Sequence, residues 1–160
     1  MTDYFKPRER DILFRRIEGI TPDVRSSDGK VTGHQLLGHF NNSLREICGL
    51  QRPKRPGNIF ERTIGKWLVF HLIPWPESAP KTESQLAEFV GQEKLAAFTN
   101  DHATFVSLLQ TFESQSSNQT LGPHPIFGRL TRDEWGKVMF LHLDYHLTMF
   151  DIHGDFFARK

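Results

Sequence analysis

Apolar residues recur three or four positions apart over four stretches of this chain, while the two-residue alternation expected of strands is scarce. Pro7 suits the first turn of a helix, and Leu13, Phe14, Ile17 and Ile20 then fall on one face. The polar run "TPDVRSSDGKV" closes that segment. A second helix opens at Thr32, with Gln35 placed to complete a capping box. It carries the stripe Leu36, Phe40, Leu44 and Ile47 and ends at Gly49. The third helix has the clearest pattern: Leu95, Phe98, His102, Phe105, Leu109 and Phe112. The fourth opens on a second capping box, Thr131 with Glu134, and aligns Trp135, Val138, Met139, His142, His146 and Met149 on one face. With Gly154 as its stop, it would run about 22 residues, or roughly 33 Å.

Residues 50–90 connect the second and third helices and hold five of the nine prolines. A short helix over "IFERTIGKWLVFHL" is expected within them, because forty structureless residues are unusual in a compact domain. Four long amphipathic helices with one long crossover predict an all-α four-helix bundle, with residues 1–160 forming a single domain.

Charge narrows the partners. Lysine plus arginine (20) nearly balances aspartate plus glutamate (19), so no global field draws nucleic acid or a membrane surface. The local cluster "QRPKRPG" reads as a solvated loop. The longest apolar stretch, "WLVFHLIPW", is too short to span a bilayer, and "MTDYFKPRER" lacks the apolar core of a signal peptide. Cys48 is the only cysteine, which excludes an internal disulfide. A cytoplasmic protein is expected. Within "LREICGL", Cys48 reads as a small apolar filler at a helix end rather than a nucleophile.

The chemistry lies in "FLHLDYHLTMF". His142 and His146 are four apart, which on a helix puts their Cβ atoms on one face about 6 Å apart. Two neutral imidazoles so placed can converge on one ion. The competing reading is a pair of core histidines bonded to backbone, hydroxyl or water. Leu143 follows the first histidine, which excludes the HExxH zinc-protease motif. A third ligand would come from His39, at the edge of the second helix's stripe, or from His102, within the third. His34 is rotated away from His39 and reads as solvated or locally bonded. His71, His124 and His153 lie near loops or helix ends, though His153 shares a face with His146 and has a possible place at the rim.

Taken together, "DGKVTGHQLLGHFNNSLREICGL" and "HPIFGRLTRDEWGKVMFLHLDYHLTMF" resemble the DinB/YfiT-like metalloenzyme superfamily, and within it a bacterial domain family of unassigned function. The weaker matches "ILFRRIEGITPD" and "SAPKT" extend the likeness over most of the chain. The resemblance implies a four-helix bundle with a long crossover after the second helix. It also implies a metal site built from one histidine of that helix and the HxxxH pair of the fourth. Matched position by position, these are His39, His142 and His146. His102 then takes a core or supporting role. Asp144, about 200° around the helix from His142, is assigned to a salt bridge or to packing. Where the family reads RQF, this chain has Thr148, Met149 and Phe150, so an arginine available to an anionic substrate is missing.

Three neutral nitrogens suit zinc, and nickel, cobalt, manganese or iron can occupy the same set. Such a site leaves one position open. The resemblance implies a low-molecular-weight thiol activated on the metal against a small-molecule electrophile, with metal-dependent hydrolysis as the second chemistry. It also implies a homodimer, for which "IGKWLVFHLIPW" offers an apolar surface. No general base stands out. His102 and Tyr145 are within consideration, and Trp135, Phe40, Phe105 and Phe150 line either a pocket or the core. The competing class is a non-catalytic, stress-associated bundle whose metal stabilises the fold.

Overall fold

The computed structural model describes residues 2–52, 95–124 and 126–152. Among them are four helices: α1 (Pro7–Ile17), α2 (Gly33–Ile47), α3 (Leu95–Ser117) and α4 (Arg132–Thr148). Strand-like pairing among the described residues is limited to two isolated bridges, Arg25 with Thr32 and His124 with Gly128. α2 lies along α3, α1 packs on α4, and α3 touches α4. The fold is the all-α four-helix bundle that the periodicity predicts. The connection between α2 and α3, with its expected short helix and His71, lies outside the described residues, as do His153 and Gly154.

Local chemistry sets the helix starts. Pro7 stands in the first turn of α1, where a missing N–H costs nothing. Both capping boxes form. The Thr32 hydroxyl accepts from the Gln35 amide at 3.2 Å, and the Gln35 side chain accepts from the Thr32 amide at 2.8 Å. Thr131 and Glu134 repeat the arrangement at 3.3 and 2.8 Å.

The helix ends are more varied. α2 closes in a Schellman turn on Gly49 (φ 72°), with the Leu50 amide donating to the Arg45 carbonyl at 2.8 Å. α4 closes the same way on a non-glycine residue, Asp151 (φ 53°), with Ile152 donating to Leu147 at 3.1 Å. It therefore spans 17 residues and stops at Thr148, short of the expected end near Gly154. Tertiary partners account for the early stop. Ser27 donates its amide and its hydroxyl to the Met149 carbonyl at 2.8 and 2.9 Å, and Arg16 takes the Ile152 carbonyl at 2.7 Å. These bonds satisfy carbonyls that further helix would otherwise have bonded.

The core gathers Leu13 and Ile17 from α1, Leu36, Phe40 and Leu44 from α2, Phe105, Leu109 and Phe112 from α3, and Trp135, Met139, Leu143 and Leu147 from α4. The buried face of α4 is broader than the predicted stripe, because Phe140 and Leu143 are also buried. In α3 the pattern holds best at its C-terminal half, and Phe98 and His102 keep partial exposure. Phe40 and Phe105 stack at 5.5 Å, joining α2 to α3.

Candidate metal centre

Two features position the site's helices. The start of α2 is held by the 21–24 loop: the Gly33 amide donates to the Val24 carbonyl at 2.7 Å, and a Cβ at Gly33 would run into the Thr21 carbonyl oxygen. Only glycine allows that approach. α4 is held by Arg16, whose guanidinium pairs with the Asp144 carboxylate and also donates to the Asp144 carbonyl and the Thr148 hydroxyl. Asp144 is thus the salt-bridge residue expected, on the opposite side of α4 from the histidines.

Within that frame His39, His142 and His146 meet. The Nε2 atoms of His39 and His146 lie 3.1 Å apart. Ring centroids are 5.2 Å apart for His39 and His142, 4.5 Å for His39 and His146, and 4.9 Å for His142 and His146. One nitrogen from each ring lies within 4.8 Å of the other two. Phe40 walls the trio, 5.9 Å from the His142 ring and 5.8 Å from that of His146.

Burial keeps all three rings neutral. It lowers His39 to about 4, and lowers His146 to about 3 with His39 adding to the effect. His142 falls well below the usual histidine value, first through burial and then through His146, His39 and His124. His142 Nε2 and His146 Nδ1 are buried with no hydrogen-bond partner among the described residues. An unpartnered buried nitrogen costs about 1–3 kcal/mol, so as a set of core histidines the trio is poorly satisfied. Three neutral imidazoles are, however, the donor set that divalent transition ions accept. The 3.1 Å spacing of His39 and His146 is already near the ~3.3 Å between two nitrogens of a tetrahedral zinc. The residues fit a divalent ion, and the group could hold one.

The other sequence candidates fall elsewhere. His102 is partly exposed beside Phe98 at 6.5 Å and is not part of the trio. His34 is half-buried and pairs with Asp101 of α3 at 2.8 Å, a long-range partner rather than water or a local bond. Tyr145 packs edge-on against His146 at 5.1 Å. Trp135, Phe40, Phe105 and Phe150 are all core residues. Cys48 is buried, and burial pushes its thiol up to about 11, which suits the filler role and not a nucleophile.

His124 lies in the loop before α4, where the sequence reading put it. Its ring lies 5.3 Å from Trp135, on α4 seven residues before His142, and it disfavours charge on His142.

No curated protein matches this chain, and no solved structure does. A family model described as "Protein of unknown function (DUF1569)" matches residues 23–152, a span that contains both helices of the trio. The chain belongs to that family, DUF1569.

Proposed function

We propose that this protein is a metal-dependent enzyme in which His39, His142 and His146 bind one divalent cation, zinc first among the candidates. The observation that carries the reading is the convergence of three imidazoles from two separate helices, the Nε2 atoms of His39 and His146 facing each other at 3.1 Å and the buried Nε2 of His142 having no partner among the described residues. A fold gains little from turning three ring nitrogens on one another unless something takes the lone pairs between them. When bound, the ion would acidify a water or a thiol at the position the three histidines leave open. The chain's own residues hold the donors neutral by burial, wall them with Phe40, and fix the pitch of α4 through Arg16.

The resemblance to DinB/YfiT-like enzymes supports a low-molecular-weight thiol as co-substrate, transferred to a small electrophile. Hydrolysis of a small molecule is the second chemistry. Arg16, beside the missing family arginine at the end of α4, is already committed to Asp144, Thr148 and Ile152 and is not free for a substrate anion.

The deciding experiment is elemental analysis of protein purified without nickel resin, comparing wild type with His142→Ala. The expected result is about one divalent ion per chain in the wild type and a small fraction of that in the variant. Equal metal content in both would reject the site.

A further inference from the structure

His39 and Phe40 are neighbours in α2, and the helical period turns them about 100° apart. Phe40 belongs to the buried stripe with Leu36 and Leu44, and His39 stands at the edge of that stripe. One turn of helix therefore delivers a nitrogen donor and, beside it, a phenyl ring that is 1% exposed. Phe105 of α3 backs that ring, stacked on it at 5.5 Å with 26° between the planes.

The three imidazoles mark a triangle whose sides are 5.2, 4.5 and 4.9 Å between ring centres. Phe40 is almost equally far from every corner: 6.1 Å from His39, 5.9 Å from His142 and 5.8 Å from His146. A point equidistant from three corners lies on the line through the centre of the triangle. At a distance greater than any side, it stands well off the plane. The phenyl ring thus covers the middle of one face of the trio. A water on that face would meet the ring instead of the two to four polar partners that hold a buried water. Of the three histidines only His142 keeps partial exposure, so solvent reaches the trio past His142 and not past Phe40.

We propose that Phe40 seals one face of the three-histidine centre and so restricts a bound divalent ion to one outside ligand, exchanged by replacement at the opposite face. The ligand class is a small single-atom donor such as water, a thiolate or azide. The ions favoured are those content with four ligands, zinc and cobalt, over those that hold out for six. This rests on the metal-centre reading above and adds to it the residue that sets how many ligands the ion takes. Phe40 gives the ion no donor atom. It determines specificity by exclusion.

The test uses the full chain loaded with cobalt, whose visible absorption is strong with four ligands and several-fold weaker once more are added. The wild type is expected to give the strong spectrum and to keep it when saturated with azide, which takes the place of water. Phe40→Ala opens the covered face and is expected to weaken the absorption several-fold. Phe105→Ala makes a similar cavity one ring farther away and is expected to keep the wild-type spectrum. A weak wild-type spectrum overturns the proposal, as does a Phe40→Ala spectrum equal to that of the wild type. Equal weakening in both variants also overturns it, since a merely loosened core would give that result. Should Phe40→Ala not fold, the wild type decides by itself. Absorption that holds on adding azide upholds the seal, and absorption that falls shows a further ligand joining the ion and refutes it. In each of these cases cobalt is bound and the metal reading stands. Failure of the wild type to take up cobalt defeats that reading, and the proposal with it.

Discussion

Arg16 on α1 grips Asp144, the residue midway between the two site histidines of α4, in an ion pair whose arginine is almost fully buried. The same guanidinium donates to the Asp144 carbonyl at 3.2 Å, the Thr148 hydroxyl at 3.0 Å and the Ile152 carbonyl at 2.7 Å. α4 cannot turn about its axis without breaking these bonds, so the pair fixes which side of the helix faces α2. The two partners are unequal: the Arg16 side chain is 5% exposed and that of Asp144 33%. Removing the carboxylate strands a buried charge.

Asp144→Ala should therefore destabilise the fold by about 3 kcal/mol, the cost typical of orphaning one member of a buried pair. Urea unfolding measures it. A loss below about 1 kcal/mol is what a water-screened surface pair gives and would reject the anchoring role.

His142→Leu separates function from stability. The substitution removes a buried nitrogen with no partner, so the metal-free variant should equal the wild type or exceed it by about 1 kcal/mol. With a divalent ion at a hundred times its dissociation constant, the wild type should gain about 2.7 kcal/mol and the variant nothing. Thermal or urea unfolding with and without the ion reads both effects. The same ion-dependent gain in both proteins would place the ion elsewhere.

Acid should unfold the metal-free protein through the same rings. His39 at about 4 and His146 at about 3 are both lowered by burial, so over the range between these values and the unfolded value near 6.5 the unfolded chain binds more protons. Stability is then complete above about pH 6.5 and falls with pH below it. His39 alone should remove on the order of 3 kcal/mol by pH 4. Metal affinity of the folded protein should stay level from pH 7 to about 5, because the buried nitrogens remain neutral there. A loss of affinity centred on 6.5 would instead indicate rings open to water.

Cys48 should be silent in the native protein. Its sulfur is buried against the Leu108 carbonyl at 4.0 Å, and its thiol is pushed up to about 11. Reaction with an aromatic disulfide at neutral pH should be at least about a hundredfold slower in the folded chain than in urea. Comparable rates would show an exposed thiolate and return Cys48 to the catalytic candidates.

Much of this protein was legible without coordinates, and particular residues show why. Thr32 with Gln35 and Thr131 with Glu134 mark helix starts because a capping box closes within four residues. Leu36, Phe40 and Leu44 mark a buried face because the helical period alone brings them together. His142 and His146 could be paired for the same reason. The end of α4 was not legible, since the partners that stop it, Ser27 and Arg16, lie more than a hundred residues away. Nor was the pairing of His34 with Asp101, or the ring of His124 turned towards α4.

The sequence by itself determined the helices, their caps and their apolar faces, because those depend on neighbours within about four residues. It also put two histidines side by side. Its periodicity left His39 and His102 both open as the third ring, which only the family resemblance narrowed to His39; the tertiary structure is what brings the His39 Nε2 to 3.1 Å from that of His146. Contacts over such separations are set by how whole helices pack and rotate against one another, here through Arg16 and through the close approach at Gly33, and no local period encodes them.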